Sequence, residues 1–374
     1  MDITDLLTFT KNAGASDLHL SAGVEPMIRI DGRMKRIDAP PLSKDEIHEL
    51  IYDILTDDQQ AAFQEKLDLD FAIELENVAR FRVNAFVQNR GEAAVFRVIP
   101  SQIKSFDDLG LPRVLADFCK QDNGLVLVTG PTGCGKTTTL AAMIDLINTH
   151  QQKHVITVED PIEFLHESKE CLINQREVHR HTHSFANALR SALREDPDVI
   201  LVGELRDLET TQLAVTAAET GHLVLGTLHT NSAAKTLDRM VDIFPTEQQE
   251  QIRSMVSESI QGIVAQVLLP RIGGGLAPAV EIMVATPAIR NLIREEKTYQ
   301  IPSIIQTGGR LGMQTMRQSI EALVIRGIVS KEYLPKEAEA SGEPLGAGPG
   351  PHTGLGSHQP PSAFETWQQR TKGR

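Results

Sequence analysis

Four short, largely apolar runs between residues 120 and 230 lack the alternation of polar and apolar positions that marks a strand with one solvent face. They cover residues 125–128, 155–158, 199–202 and 223–225, and segments with helical spacing separate them. Continuous apolar runs are typical of parallel strands that helices cover on both faces. The pattern predicts an α/β core built on a doubly wound parallel sheet.

The first hundred residues have a different, mixed pattern. Strand-like runs flank a turn at Asp31-Gly32, and apolar residues in the segment 43–55 fall at helical spacing. Ser43 followed by Glu46 fits the capping box that begins a helix. We expect a small α+β domain over residues 1–100.

Two strands with a polar turn between them end this first segment. They cover residues 79–87 and 92–99, and if the turn centres on Asn89-Arg90, their pairing places Arg82 directly opposite Arg97. Like charges in such a pair repel each other. Two interpretations remain open: both arginines are solvated on an exposed sheet face, or they form a clamp for an anion such as phosphate.

The other segments differ from the core in composition or in periodicity. Residues 101–117, where one pattern gives way to the other, are expected to form a linker. Residues 235–330 are expected to be mostly helical, and Thr286-Pro287 has the N-cap and first-turn residues that open one of these helices. Residues 335–374 are rich in Pro, Gly, Ser and His, which predicts a disordered tail.

The clearest chemical signal is a glycine-rich loop between the first core strand and the helix after it. Residues 130–137 fit the pattern G-x-x-x-x-G-K-[ST], in which backbone N–H groups and a helix N-terminus surround phosphate groups. Lys136 is expected to contact the β and γ phosphates and Thr137 to ligate Mg²⁺. The predicted nucleotide-binding residues are Gly130, Pro131, Thr132, Gly133, Cys134, Gly135, Lys136, Thr137 and Thr138.

Polar residues also follow the other three core strands. Because ligands of an open parallel sheet bind at the carboxyl ends of its strands, these residues are expected at the edge that carries the glycine-rich loop. Glu163 and Glu204 are candidates for the general base and for the residue beside the metal, without a ranking between them. Thr137 and Glu204 are the predicted metal-binding residues. His229 is predicted to sense the γ-phosphate, the alternative being a loop histidine that caps a helix.

Composition and charge narrow the classes of function. Hydrophobic residues make up 41% of the 374 residues and charged residues 23%, as in ordinary globular proteins. The formal net charge of −13 disfavours a broad basic surface for nucleic acid. The three cysteines lack metal-ligand spacing, no apolar run is long enough to span a membrane, and the N-terminus is acidic. These features favour a cytoplasmic protein that meets a membrane only through a partner.

Four segments carry a resemblance to a known family. LREDPDVILVGELRD at residues 193–207 resembles the secretion ATPases of type II secretion and type IV pilus systems. Three further segments resemble the pilus retraction ATPases within that superfamily: ASDLHL at 15–20, AAETGH at 217–222 and AIRNLIRE at 288–295. The resemblance covers roughly residues 1–333.

The resemblance implies a hexameric motor that couples ATP hydrolysis to pilus retraction and twitching motility. It implies a RecA-like P-loop ATPase domain over residues 118–334, ending in helical elements. It also implies a PAS-like α+β domain over residues 1–100, whose Arg82 and Arg97 reach the nucleotide. The implied cofactors are ATP and Mg²⁺.

By the same resemblance, Glu204 matches the family's Walker B glutamate, Glu163 lies in its acidic box and His229 lies in its histidine box. Cys134 departs from the family, which usually has Ser at that position, and adds a thiol to the Walker A loop. The family further implies a homohexamer at the inner face of the inner membrane. Its implied partners are an inner-membrane platform protein and a paralogous retraction ATPase.

The AIRNLIRE segment bears on the direction of mechanical work. Its apolar residues form one helical face, while Arg290 and Arg294, four positions apart, repel each other unless something acidic meets them. The segment is either a packed helix with a solvated basic edge or an element that couples hydrolysis to retraction. The resemblance favours the second interpretation.

Three other functions compete with a retraction motor. A pilus assembly or type II secretion motor of the same superfamily would push subunits outward, and the AIRNLIRE segment argues against it. A DNA-translocating RecA-type motor conflicts with the net charge of −13. A non-catalytic interaction protein with a vestigial loop conflicts with the presence of Lys136, Thr137, Glu163 and Glu204.

Overall fold

The computed structural model describes residues 2–30, 32–76, 78–99 and 102–334. Within these ranges the chain divides into two compact units, one up to Gln102 and the other from Ile103 onwards. The predicted disordered tail, residues 335–374, lies outside the described residues. No helix in the described ranges combines the length and the apolar character needed to cross a membrane.

The first unit combines helices with a six-stranded antiparallel sheet, in agreement with the expected α+β class. Apolar side chains of its helices share one core with the sheet. The elements are α1 (Ile3–Asn12), β1 (Asp17–Ser21), β2 (Met27–Ile30), β3 (Arg33–Arg36), α2 (Lys44–Tyr52), α3 (Asp57–Lys66), β4 (Asp68–Leu75), β5 (Ala79–Gln88) and β6 (Gly91–Ile99). The strand order is β3-β2-β1-β6-β5-β4.

The hairpin of β5 and β6 has the predicted register. Arg82 is the direct partner of Arg97, and Gln88 pairs with Gly91 at the turn. Strands β2 and β3 also pair as predicted, although Asp31 of their turn lies outside the described residues. Both hairpins therefore form where their turn residues predict them.

Helix α2 begins at the predicted capping box. The hydroxyl of Ser43 accepts a hydrogen bond from the N–H of Glu46, and the carboxylate of Glu46 accepts one from the N–H of Ser43. The helix ends at Tyr52, three residues before the predicted Leu55. Thr56 then caps α3, which begins at the next residue, Asp57.

The second unit is a seven-stranded sheet with helices on both faces. Alternate residues of its central strand, residues 223–228, enter two separate cores, one on each face of the sheet. The elements are α4 (Phe106–Leu109), α5 (Val114–Phe118), β7 (Gly124–Thr129), α6 (Lys136–His150), β8 (His154–Glu159), β9 (Leu172–Glu177), α7 (Phe185–Ala192), β10 (Val199–Val202), α8 (Leu208–Glu219), β11 (Leu223–Leu228), α9 (Ala233–Asp242), α10 (Thr246–Ser259), β12 (Ile260–Pro270), β13 (Leu276–Val284), α11 (Pro287–Arg294), α12 (Ile301–Thr307) and α13 (Met316–Ile325).

The sheet of the second unit has the strand order β13-β12-β7-β11-β10-β8-β9. All neighbouring pairs are parallel except β12 with β13. The four apolar runs of the sequence are β7, β8, β10 and β11, in the centre of this sheet. The predicted doubly wound parallel core is therefore confirmed, with β13 added as an antiparallel edge strand.

Two long strands lie in the region that was expected to be mostly helical. Strands β12 and β13 form an antiparallel hairpin, and the three consecutive glycines of its turn, residues 273–275, all have positive φ. Periodicity alone does not distinguish a largely apolar run such as residues 260–269 from a buried helix. The helices predicted nearby do form, and α11 begins at Thr286 as its N-cap.

The segment expected to be a linker, residues 101–117, contains the short helix α4 and all of α5 except its last residue, Phe118. Leu115 and Phe118 of α5 are buried in the core of the second unit. The ring of Phe118 lies against Gly262 of β12, where a Cβ would come within 2.2 Å of the ring. Only glycine at position 262 leaves room for the ring in this position.

Candidate functional site

The glycine-rich loop connects the end of β7 to the start of α6. Gly130, Gly133 and Gly135 have φ values of 141°, 78° and 87°, a region that residues with a Cβ rarely adopt. Gly135 is the N-cap of α6, so the N-terminus of this helix points at the loop. The first N–H groups of a helix have no partner within it and, together with the helix dipole, favour an anion.

Lys136 folds back over this loop. Its Nζ donates to the carbonyl oxygens of Gly130 at 2.8 Å and Pro131 at 3.2 Å. Phosphate oxygens would accept stronger, charge-assisted bonds from the same ammonium group. Thr137 and Thr138, the next residues of α6, are partly exposed, so a ligand can reach them.

Cys134 is enclosed within the loop. Its residue is 3% exposed, and burial raises the pKa of the thiol. A Cβ at Gly130 would lie 2.6 Å from the Sγ atom of Cys134, which shows how tightly the loop closes around the sulfur. The thiol that distinguishes this loop from the family pattern is therefore shielded.

The ends of β10 and β11 meet beside the loop. The N–H of Gly130 donates to the carbonyl oxygen of Leu228, the last residue of β11, at 3.2 Å. His229 follows, and its Nε2 lies 3.0 Å from Oε1 of Glu204, which comes after β10. The structure thus brings Glu204 and His229 together at the sheet edge that carries the loop.

Nη2 of Arg206 lies 2.7 Å from Oε2, the second carboxylate oxygen of Glu204. Burial raises the pKa of Glu204, but the hydrogen bonds and charges of Arg206 and His229 outweigh it and leave the pKa lowered. Glu204 is consequently an anion at neutral pH. Sequence reasoning did not single out Arg206, because an arginine two positions after a glutamate has no characteristic pattern.

Glu163 lies in the loop after β8, and side chains of β9 hold this loop in place. The carboxylate of Glu177 accepts a hydrogen bond from the N–H of Ile162 at 3.0 Å. The side-chain oxygen of Gln175 accepts one from the N–H of His166 at 2.9 Å. The backbone is thus held on both sides of Glu163, whose side chain is half-buried.

Glu159, the last residue of β8, is a second carboxyl group in this region. It accepts hydrogen bonds from the hydroxyl of Thr157 at 2.7 Å and from the amide of Gln175 at 3.3 Å. Burial raises the pKa of Glu159 to about 7, with the nearby charge of Glu163 adding to the rise and the two hydrogen bonds opposing it. Glu159 therefore exchanges a proton near neutral pH, a property that its position in the sequence does not reveal.

The residues at this edge fit a magnesium ion bound together with a nucleotide. Mg²⁺ in such sites takes one or two protein ligands and fills its shell with phosphate oxygens and water. The hydroxyl of Thr137 and the anionic carboxylate of Glu204 match that donor set. In the part of the chain that the structure describes, no group of three or more His, Cys, Asp or Glu side chains could hold a metal without the nucleotide.

In the first unit, each of the facing arginines has an acidic partner on the neighbouring strand. Arg82 donates from Nε and Nη2 to the two oxygens of Asp70, at 3.3 and 2.6 Å. Arg97 donates from Nε to the buried Asp17 at 2.9 Å. These carboxylates offset the repulsion that the register creates. Neither sequence interpretation, solvation or an anion clamp, anticipated them.

Helix α11, which contains most of AIRNLIRE, meets the end of α10. The guanidinium group of Arg290 donates to the carbonyl oxygens of Ser257 at 2.7 Å and Glu258 at 2.6 Å. Arg294 donates to the hydroxyl of Ser257 at 3.3 Å. The basic pair thus meets the negative end of a helix dipole where an acidic side chain was expected.

Sequence comparison relates the chain to known secretion and pilus proteins. A family model described as type II/IV secretion system protein matches residues 2–274. The chain is 60% identical to the type IV pilus retraction ATPase PilT of Pseudomonas aeruginosa, over 91% of this chain and 98% of that protein. It is 56% identical to a twitching motility protein of Neisseria gonorrhoeae, over 84% of this chain and 85% of that protein.

Structural comparison extends the similarity to the fold. A crystal structure of the pilus retraction motor PilT with bound ADP superimposes with a TM-score of 0.83 and 47% sequence identity. The match covers 91% of this chain and 98% of that one. The glycine-rich loop, Glu204 and His229 all fall inside the region that the family model matches. The chain belongs to the type II/IV secretion system protein family.

Proposed function

We propose that this chain is a motor that couples hydrolysis of MgATP to the retraction of type IV pili. The observation that carries the chemistry is the contact of Glu204 with His229 beside the glycine-rich loop. At this edge of the sheet, the glycine-rich loop, the anionic carboxylate of Glu204 and the imidazole of His229 lie close together. The retraction role is supported by similarity, along most of the chain, to proteins named for pilus retraction and twitching motility.

In this proposal the nucleotide phosphates occupy the loop and the N-terminus of α6. Lys136 exchanges the carbonyl oxygens of Gly130 and Pro131 for the β and γ phosphates, a trade of neutral acceptors for anionic ones. The residues that surround the phosphates are Gly130, Pro131, Thr132, Gly133, Cys134, Gly135, Lys136, Thr137 and Thr138.

Thr137 and Glu204 would hold the magnesium ion, which when bound supplies positive charge to the phosphate oxygens. Glu204 is a poor proton acceptor, because Arg206 and His229 lower its pKa. Glu163, in its anchored loop, is therefore the better candidate to take the proton of the attacking water. The exposed side of the His229 imidazole would be available to contact the γ-phosphate and so sense its presence.

We further propose that the motor is a homohexamer. In each of its chains, the angle between the two units would change when nucleotide binds or leaves. Arg82 and Arg97 would exchange their carboxylate partners for phosphate oxygens in the assembled ring. The side chain of Arg82 is 34% exposed and that of its partner Asp70 39%, so water already screens this ion pair and its exchange costs little. The side chain of Asp17 is only 5% exposed, so phosphate must compete with a buried carboxylate for Arg97, and Arg29, at 3.8 Å, would remain beside Asp17. Nucleotide occupancy would then bias the arrangement of the units.

The proposed partners follow from the same assignment. The ring would act at the cytoplasmic side of the inner membrane, against an inner-membrane platform protein of the pilus, and alongside a paralogous retraction ATPase. Nucleic acid is not a proposed partner, since the net charge of −13 repels a polyanion. Helix α11 would take part in coupling hydrolysis to retraction.

The proposal is tested by MgATPase activity measured as a function of protein concentration. The chain is compared with Arg82→Ala, Arg97→Ala and the control Arg90→Ala, an arginine at the turn of the same hairpin that contacts Ser21. We expect activity to rise with assembly and to fall in the first two variants, with Arg90→Ala unchanged. Circular dichroism establishes that each variant is folded.

Equal hydrolysis by monomers, together with full activity of the Arg82 and Arg97 variants, would overturn the shared-site ring. Retraction is tested separately by complementation of a strain that assembles pili but cannot retract them. Restoration of twitching supports the retraction role. Restoration of pilus assembly in an assembly mutant would instead support the opposite direction of work.

A further inference from the structure

A buried glutamine on β12 lies directly beneath the glycine-rich loop. Strand β12 pairs in parallel with β7, and Ala265 is the partner of Thr129, the last residue before the loop. Gln266, the next residue, is 2% exposed. A buried amide of this kind needs hydrogen-bond partners, and it finds both of them in the loop and its helix.

The side-chain amide of Gln266 makes two hydrogen bonds of fixed polarity. Its Nε2 donates to the carbonyl oxygen of Cys134 at 2.6 Å, and its Oε1 accepts from the hydroxyl of Thr139 at 2.9 Å. A carbonyl oxygen can only accept, so the nitrogen of the amide must face Cys134. Thr139 is itself buried, so neither bond competes with bulk water.

Both ends of the loop also come into close contact with Gln266. A Cβ at Gly130 would lie 2.3 Å from the backbone oxygen of Gln266. A Cβ at Gly135 would lie 2.9 Å from its Nε2. Glycine at these two positions thus allows the loop to pack closely against the backbone and the side chain of this one residue.

The bond to Cys134 fixes one peptide plane of the loop. In a planar trans peptide, the carbonyl of Cys134 and the N–H of Gly135 point in opposite directions. With the carbonyl held on Gln266, the N–H of Gly135 points away from β12. A loop that cradles phosphate needs its N–H groups directed inward and its carbonyls outward, which is the orientation that Gln266 imposes.

We propose that Gln266 is a positioning residue that holds the glycine-rich loop in its anion-binding conformation. This inference rests on the proposed nucleotide site and adds to it a residue 132 positions away in sequence from Cys134. Without the amide, the peptide planes of the loop adopt other orientations as well, and the nucleotide binds only the fraction of molecules whose loop has the phosphate-binding orientation. Apparent affinity then falls in proportion to the competent fraction.

The test measures the affinity of a fluorescent ADP analogue, with Mg²⁺, for the chain, for Gln266→Leu and for the control Gln314→Leu. Gln314 also donates from its amide to a backbone carbonyl, that of Val280, at 2.9 Å, but does not contact the loop. We expect the Kd to rise roughly tenfold in Gln266→Leu and to stay within about twofold in the control. Thermal melting without nucleotide reports the stability of each variant.

A second variant, Gln266→Glu, separates positioning from packing. Its carboxyl still accepts from Thr139, but it can donate to the Cys134 carbonyl only when protonated, and burial favours the protonated form. The ratio of its Kd to that of the unsubstituted chain should therefore fall as the pH is lowered from 8 to 6. A side chain that acts only through its volume would give a constant ratio.

The outcomes separate this inference from the proposed function. Failure of the unsubstituted chain to bind the ADP analogue overturns the nucleotide site, and the positioning role with it. Binding by the unsubstituted chain with unchanged affinity in a folded Gln266→Leu overturns the positioning role alone. If Gln266→Leu does not fold, the Gln266→Glu ratio decides: a fall at low pH supports positioning, and a constant ratio overturns it.

Discussion

The imidazole of His229 lies 3.0 Å from the carboxylate of Glu204, and this contact joins the ends of two neighbouring parallel strands, β11 and β10. Arg206 binds the other oxygen of the same carboxylate. The carboxylate of Glu204 therefore has a fixed orientation, and its two neighbours stabilise its negative charge. A preorganised charge of this kind needs no rearrangement when a reaction develops charge nearby.

Replacing Glu204 with Gln should abolish turnover while leaving nucleotide binding nearly intact. Glutamine keeps the size of the side chain but removes its negative charge, so we expect a roughly hundredfold or larger loss of kcat. Steady-state MgATPase kinetics and binding of a fluorescent ADP analogue measure the two quantities. Glu209→Gln, at an exposed ion pair with Arg190, is the matched control. Wild-type turnover in Glu204→Gln would remove Glu204 from the catalytic residues.

Replacing Glu159 with Gln should change the pH dependence of stability. The pKa of Glu159 is about 7 in the folded protein against 4.5 in the unfolded chain, so the folded state binds this proton more tightly. The resulting stabilisation is fully present below about pH 4.5 and is lost as the pH rises through 7. Gln resembles the protonated form at every pH.

Urea unfolding at pH 5 and pH 8 tests this expectation. The free energy of unfolding of the parent chain should fall relative to that of Glu159→Gln between the two pH values. A difference that does not change with pH would mean that Glu159 titrates normally. Glu163→Gln, measured in parallel, reports how much of the effect comes from the neighbouring charge.

Replacing Arg290 with Ala should destabilise the second unit more than replacing Arg294. Arg290 satisfies two carbonyl groups at the C-terminus of α10, whereas Arg294 makes one long bond to a hydroxyl. We expect losses of about 2 kcal/mol for Arg290→Ala and below about 1 kcal/mol for Arg294→Ala. Urea unfolding of both variants measures the difference, and equal losses would contradict the capping role.

Cys134 should react slowly with alkylating reagents in the native protein. Burial both shields the sulfur and raises the pKa of the thiol, so the reactive thiolate is scarce. Labelling with iodoacetamide, followed by peptide mass analysis, should modify Cys134 only after unfolding in guanidinium chloride. Rapid modification of Cys134 in the native chain would show that the loop opens often.

Features that depend on neighbouring residues in the chain could be predicted from sequence. The turn at Asn89-Arg90 aligns β5 with β6 and so places Arg82 opposite Arg97. The glycine-rich loop could be predicted for the same reason, because the spacing of its pattern G-x-x-x-x-G-K-[ST] is typical of one local backbone conformation. Helix α3 shows the limit of this approach, since Phe63 is its one buried residue among those described and leaves no apolar periodicity.

Contacts between distant segments could not be predicted, because one partner is often a backbone group that any residue supplies. The carbonyl oxygens that bind Arg290 belong to Ser257 and Glu258, and neither residue type indicates such a role. Gln266 resembles any other polar residue in a strand until the fold brings it to Cys134. The raised pKa of Glu159 likewise depends on burial that the fold creates.

Helix α10 ends at Ser259 and strand β12 begins at Ile260, so no linker residue separates them. Arg290 binds carbonyl groups in the last turn of this helix, and Gln266 of the strand binds the glycine-rich loop. An extended strand cannot lengthen to absorb a displacement. The register of β12 against β7 shifts between Ile260 and Gly262, so this short length of backbone has one irregularity on its way to the loop. We expect a displacement of α11 to reach the loop along this route, and a change in the loop to return to α11 by it.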